Sequence, residues 1–243
     1  MSKFLDLIQK QRNKKKKEKF EGTFIDYLEM IKDNPDKIKL AHKRLYETIC
    51  DHGFDTVDVD SDAYRDIFNG DKIRTYDYFK EEFFGMESVI NKLMRFLKSA
   101  AHKGEESRQV LLLMGPVGAG KSALTEHVKR ALDGQSYYHL KGDPQRGEPL
   151  QLIPRSLRKD MEEILGVNIE GDLSPIARWE LLNKYEGKYE NYPVVESTFS
   201  QRGRRGIAVV TPMDANSQDV SVLIGTEDIS KLDLYPEDDP RVL

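Results

Sequence analysis

Apolar positions recur at helical spacing in three stretches of the first hundred residues. Thr23-Phe24-Ile25-Asp26 has the form of a capping box, in which a hydroxyl and a carboxylate three residues on satisfy the open amides of a helix start. Tyr27, Leu28 and Ile31 continue it as an apolar stripe until Asn34-Pro35. Ile38, Ala41, Leu45 and Ile49 predict a second helix over Pro35–Cys50, ended by His52-Gly53. Val89, Leu93, Phe96 and Leu97 share one face of a third, over Met86–Ala101. Phe4, Leu5 and Ile8 mark one short amphipathic turn, and Tyr64–Phe68 a short helix within the mixed, acid-rich residues 54–80. The expectation is an all-helical N-terminal region over residues 1–80, carrying a basic segment.

The pattern changes at Gln109. Val110-Leu111-Leu112-Leu113-Met114 is the longest unbroken apolar run, as expected of a strand buried on both faces of a parallel sheet. A glycine-rich turn follows, then a helix over Ser122–Leu132 with Leu124, Val128, Ala131 and Leu132 on one face. Tyr137–Leu140 and Ile207–Val210 read as further strands, with helices over Pro154–Leu165 and Ser174–Tyr185 between them. Strand, glycine loop and helix in succession begin an α/β unit, so the fold class expected over residues 81–243 is a P-loop NTPase core with a parallel sheet.

The glycine-rich turn carries the chemistry. Gly115-Pro116-Val117-Gly118-Ala119-Gly120-Lys121-Ser122 fits the phosphate-loop pattern G-x-x-x-x-G-K-[ST] throughout. Gly118 and Gly120 let backbone amides turn inward around a phosphate where a side chain would obstruct the approach. Lys121 places a fixed positive charge near the β and γ phosphates, Ser122 offers a hydroxyl to Mg²⁺, and the start of the following helix adds favourable partial charge. ATP and Mg²⁺ are the expected ligands. A working ATPase also needs an acid at the end of a second buried strand. Val222-Leu223-Ile224-Gly225-Thr226-Glu227-Asp228 and Val209-Val210-Thr211-Pro212-Met213-Asp214 come nearest, but each is interrupted, and neither is a convincing hydrolytic half.

Other constellations are weaker. Arg202, Arg204 and Arg205 flank Gly203 and Gly206 and suit either a phosphate clamp or a plain solvated loop. The five histidines have no metal-ligand spacing, and His127 is expected at the surface of the helix after the loop. Tyr64-Arg65-Asp66 lacks the spacing of a eukaryotic kinase catalytic loop and no D-F-G occurs, which excludes a conventional protein-kinase fold.

Composition narrows the setting. Of 243 residues 33% are charged and 38% apolar, enough for a sizeable core with a generous solvated surface. No apolar run long enough to span a membrane exists, and no apolar leader follows Met1. The single cysteine, Cys50, excludes an internal disulfide and a cysteine-based metal cluster. A cytoplasmic protein without a membrane partner is expected. The net charge of −4 hides a basic start, Lys14-Lys15-Lys16-Lys17 included. That block suits nucleic acid, anionic lipid or an acidic partner, or simply a solvated helix. The acidic stretch Glu227 to Asp239 argues against a nucleic-acid surface.

Five segments occur in order: Glu21-Gly22-Thr23-Phe24, Phe83-Phe84-Gly85-Met86-Glu87, the run from Leu113 to Ser122, Glu170-Gly171-Asp172-Leu173-Ser174-Pro175 and Ser217-Gln218-Asp219. In this ordered set the chain resembles the N-terminal AAA module of the bacterial PrkA serine protein kinases, across essentially its whole length. The resemblance implies an AAA-type ATP-binding core, serine/threonine phosphorylation of a protein substrate, assembly as a homo-oligomer, and a chain that stops short of the family's full length. It also implies that Gly85 and Met86 lie near the adenine pocket. Lys121 is then the catalytic candidate, Gly115, Pro116, Val117, Gly118, Ala119, Gly120, Lys121 and Ser122 the nucleotide cradle, and Ser122 the metal contact. A mechanical AAA ATPase linked to proteolysis, a small-molecule P-loop kinase and a nucleotide-binding fragment without turnover remain open beside it.

Overall fold

The Thr23–Asp26 capping box forms as its residue types dictate. The Asp26 amide donates to Thr23 Oγ1 (3.3 Å) and the Thr23 amide to Asp26 Oδ2 (2.8 Å), so strand passes to helix within one residue. A computed structural model describes residues 19–57, 73–210, 229–236 and 239–242 of the chain. Along it run β1 (Glu21–Thr23), α1 (Phe24–Asp33), α2 (Ala41–Asp51), β2 (Phe54–Val57), β3 (Ile73–Tyr76) and α3 (Asp77–Lys80). Then follow α4 (Glu87–Ala101), α5 (Lys121–Arg130), β4 (Ser136–Leu140), α6 (Arg158–Leu165), α7 (Pro175–Asn183), β5 (Pro193–Thr198) and α8 (Ile229–Leu232). They fall into two compact units, Met1–Ile38 with Gln135–Leu243, and Lys39–Gly134.

The first unit is built on an antiparallel sheet in the order β1-β5-β4. Glu21 pairs with Val195, and Leu140 with Val194. Phe24, Tyr27 and Ile31 from one face of α1 meet Leu140, Leu150, Leu152, Tyr192 and Val194 in the core. A buried polar network sits beside it. Asp143 accepts from Ser174 Oγ (2.8 Å) and the Gly147 amide (2.6 Å), while Ser174 Oγ accepts from the Ala177 amide and so caps α7. The Tyr192 hydroxyl donates to Glu180 Oε2 at 2.8 Å.

The second unit packs α2 and α4 around Ile49, Phe79, Ile90, Met94 and Leu97, with Leu124 from α5 in the same core. β2 and β3 pair antiparallel, Phe54 with Tyr76 and Val57 with Ile73. Asn91 on α4 pins that hairpin: its Oδ1 accepts from the Arg74 amide (3.0 Å) and its Nδ2 donates to the Arg74 carbonyl (2.6 Å).

Several expectations need correction. Residues 1–80 are not all-helical, because β1 finds its partner about 170 residues away in β5, and the alternating Phe54–Val57 and Ile73–Tyr76 segments pair with each other. The single helix expected over Pro35–Cys50 is a 3₁₀ turn, Pro35–Ile38, and then α2, because the chain crosses from one unit to the other between them. Both sheets are antiparallel rather than parallel. Residues 110–116 form neither helix nor strand, and no strand among the described residues pairs with them; Val110, Leu112 and Met114 stand 92%, 74% and 85% exposed. Ile207–Val210 forms no strand either: Ile207 is buried, whereas Val209 and Val210 face solvent. The 80/81 boundary coincides with neither junction between the units. The turn at residues 4–8, the lysine block, the short helix at 64–68, Ser217-Gln218-Asp219, the run 222–228 and the acid end of the run 209–214 lie outside the described residues.

Candidate nucleotide site

The phosphate loop belongs to the second unit and leads directly into α5. Gly118 and Gly120 both take left-handed backbone, φ +84° and +77°, at the two places where the chain reverses toward the helix. Nothing lies within 4 Å of where a Gly118 Cβ would sit, so its glycine is required by backbone conformation and not by crowding. Gly120 is the residue before α5, and no side chain caps that helix start. First-turn amides and the positive end of the helix dipole are therefore presented at the loop, the arrangement that holds an anion. Val117, Gly118, Ala119 and Ser122 are exposed.

Lys121 is turned onto its own loop. Its Nζ donates to the carbonyl oxygens of Gly115 (2.7 Å) and Pro116 (2.6 Å). These are charge-assisted bonds, and a phosphate arriving in the loop must take the ammonium from them. The residues that the sequence assigns to the cradle, Gly115 to Ser122, are thus contiguous, and their one cation already sits at the centre.

Of the adenine-pocket pair, Met86 reaches the loop and Gly85 does not. A Cβ placed on Gly120 would lie 3.6 Å from Met86 Sδ. Gly85 forms the turn before α4 with φ +71°. A cavity of about 520 Å³ opens beside the loop, lined by Met86, Val89, Leu93, Phe96, the segment Leu111–Pro116 and Lys121. That volume falls within the usual range for small-molecule sites, and its lining is mostly apolar. The stripe Val89-Leu93-Phe96 was legible as one helix face, but nothing in the spacing told that Val89 and Phe96 look into a cavity while Leu97 is buried in the core.

His127 is the clearest miss. It was expected on the surface of the helix after the loop, yet it is buried among Tyr78, Phe79 and Phe83. The helix α4 and the phosphate loop separate those rings from it in sequence, so helical spacing carries no sign of the contact. Arg202, Arg204 and Arg205 occupy a turn in the first unit, closed by the Ser200–Arg205 bridge.

The loop fits a nucleoside triphosphate: an uncapped helix start, left-handed glycines, a central ammonium and an adjoining apolar cavity. No group of three or more histidine, cysteine or acidic side chains able to hold a metal occurs among the described residues. Mg²⁺ suits such a site when it arrives with phosphates, and the exposed Ser122 hydroxyl is the group of the loop that could meet it. Among the described residues no helix is long and apolar enough to cross a membrane.

Comparison with known proteins gives the same direction. The family described as PrkA AAA domain matches residues 22–243. The chain is similar to the ATP-dependent protease PrkA of Bacillus subtilis (strain 168), 38% identical over 245 residues that take in 98% of this chain and 37% of that protein. It is also similar to the serine/threonine kinase YeaG of Escherichia coli (strain K12), 35% identical over 182 residues, 72% of this chain and 28% of that one. A shorter likeness, 33% over 61 residues and 25% of the chain, runs to a mitochondrial Lon protease homolog of Yarrowia lipolytica. The chain therefore spans little more than a third of the longest-matching of these relatives. No solved structure matches it.

Proposed function

The chain belongs to the PrkA AAA family, and on that premise we propose that it binds MgATP through Gly115–Ser122 as the AAA-type module of an enzyme acting on a protein substrate. The observation that carries this is the Lys121 ammonium centred in a loop that opens onto an uncapped helix and an apolar cavity. Triphosphate oxygens take Nζ from the Gly115 and Pro116 carbonyls, the first-turn amides of α5 hold the same phosphates, and Ser122 meets their Mg²⁺. Adenine takes the cavity against Met86. Phosphoryl transfer at such a site depends on positioning and charge stabilisation.

The kinase reading, transfer to a serine of a protein, is supported by the resemblance in the ordered segments and by the name of the Escherichia coli relative. Coupling of ATP use to proteolysis is the second reading, favoured by the name of the Bacillus relative and by the short Lon likeness. Self-assembly through the AAA module and a cytoplasmic setting accompany both.

The test is calorimetric titration of MgATP into the chain and into Lys121→Ala, followed by γ-labelled ATP with a casein-like acceptor. Removing a hydrogen-bonding charge should weaken binding about 10- to 100-fold, the equivalent of roughly 1.5–3 kcal/mol. Labelled acceptor that vanishes in the variant supports the kinase; cleaved acceptor without label supports the protease. Equal affinity in both chains removes Lys121 from the site, and no binding in either ends the proposal.

A further inference from the structure

His127 lies on α5 six residues beyond Lys121, a rise of about 9 Å. Its ring is buried, with the ring centres of Tyr78, Phe83 and Phe79 at 4.5, 5.3 and 5.5 Å. Two reciprocal bonds join it to Tyr78. Nε2–H donates to the Tyr78 carbonyl (2.8 Å), and the Tyr78 hydroxyl donates to the His127 carbonyl (2.7 Å). Nδ1 lies 3.1 Å from Glu82 Oε2, yet no hydrogen bond is aligned on it. Glu82 also takes Arg130 Nη1 at 2.9 Å through its other oxygen. Past Glu82 the chain continues through Phe83, Phe84 and Gly85 to Met86, whose sulfur packs over Gly120. Segment 78–86 is thus fastened to the middle of α5 at one end and to the turn that starts α5 at the other.

The chemistry of the ring makes that fastening depend on a proton. A neutral imidazole has one N–H, and here it is spent on the Tyr78 carbonyl. Nδ1 then turns a lone pair toward a carboxylate in a buried place, where an unpaired acceptor is costly. A proton on Nδ1 supplies the missing donor and an ion pair with Glu82. The other groups facing this contact are Arg130, which competes for Glu82, and the Tyr78 phenol, held above its usual range by burial. His52 also packs edge-on against the Tyr78 ring, centre to centre 4.9 Å, and is bonded to the Thr48 carbonyl; Lys129 on α5 itself is paired with Glu126.

We infer that His127 is a positioning residue of the nucleotide site, and that protonation of its Nδ1 sets how firmly segment 78–86, with Met86 at its end, is held against the phosphate loop. The inference rests on the ATP-binding function proposed above. Its sign follows from the geometry: the protonated form pairs with Glu82 and holds Met86 in place, so affinity for MgATP falls when the proton leaves.

The experiment compares the 243-residue chain with Glu82→Gln, a change at a half-exposed side chain that keeps its shape. MgATP dissociation constants are measured from pH 5.5 to 8.5, and the His127 ring nitrogens are followed over the same range by long-range ¹H–¹⁵N NMR. The titration of ATP itself cancels in the ratio of the two proteins. That ratio should change roughly fivefold across the window, the low end of coupling between linked sites. The His127 Nδ1 signal should differ between the two proteins, because Glu82→Gln removes the carboxylate 3.1 Å from it. Parallel affinity profiles would overturn the positioning role even if both proteins bind ATP well. A chain that binds no MgATP at any pH overturns the function proposed above; the clamp is then judged by the ring signals alone, and ring signals unchanged by Glu82→Gln overturn it.

Discussion

The two compact units treat their most demanding groups in opposite ways. In the first, every strand has a neighbour, and the buried polar atoms of Asp143, Ser174 and Glu180 are taken up by partners in the same unit. In the second, the longest apolar run of the chain stands in solvent, the loop lysine is occupied by its own carbonyls, and a buried histidine nitrogen faces a carboxylate without an aligned bond. The first unit settles most of these groups within itself, with Arg205 Nε and the Glu148 carboxyl as exceptions; the second holds its open chemistry at the loop and along α5. Satisfied networks rigidify, and partly satisfied ones are where a protein can still respond.

The largest effect should come from opening the satisfied network. Asp143→Ala removes the acceptor of Ser174 Oγ and of the Gly147 amide, leaving a buried and a half-buried donor unpaired beside the cap of α7. The expected loss is about 3 kcal/mol in urea unfolding. Hydrogen exchange should show the lost protection in α7 and β4, with α4 and α5 unchanged. Equal loss in both units would mean that they unfold as one body and that the contrast between them is only one of appearance.

A second, smaller effect probes the one strained acid of the first unit. Burial pushes the Glu148 carboxyl up to about 7, and the neighbouring Glu170 carboxylate adds to it. The folded state therefore favours the protonated acid. That contribution is complete below about pH 4.5 and is lost as pH rises through about 7. Glu148→Gln should remove this slope and make the chain more stable than wild type at pH 8. About 2 kcal/mol is expected, less than the full shift allows because the side chain keeps some contact with solvent. Unfolding midpoints at pH 5 and pH 8 check it; an unchanged slope would mean that the carboxyl is hydrated in solution.

What could be read from the sequence divides along the same line. Local devices were legible: the Thr23–Asp26 box, the glycines at 118 and 120, and, within the stripe Val89, Leu93, Phe96 and Leu97, the buried pair Leu93 and Leu97 are all written within one or two turns. The family likeness set Gly85 and Met86 near an adenine pocket; that Met86 packs over Gly120 comes from the structure alone. Contacts between distant segments were not legible. Pro193 and Glu196 broke the apolar pattern of β5, whose pairing with Glu21–Thr23 no periodicity announces. Asp143 and Ser174 are 31 residues apart, and His127 and Tyr78 49, with no repeat linking either pair. Val110–Met114 shows the reverse: the run has the composition of a buried strand, but composition specifies a preference and not a partner.

That run offers the smallest effect and the sharpest test of the comparison. Leu112 is 74% exposed and Leu124, in the same unit, is 2% exposed. If solvent covers Leu112 as the geometry has it, Leu112→Ser should change unfolding free energy by no more than about 0.5 kcal/mol. Leu124→Ala should cost about 2–5 kcal/mol, because it removes a packed side chain and leaves a cavity. Both are measured by urea denaturation at several protein concentrations. A loss for Leu112→Ser that approaches the Leu124 value would mean that the 110–114 segment is covered in solution. Growth of that loss with concentration would identify the cover as a second copy of the chain, since only association makes stability depend on the amount of protein present. A concentration-independent loss would place it within the chain itself, and the unit that holds the loop would then be as complete as its neighbour.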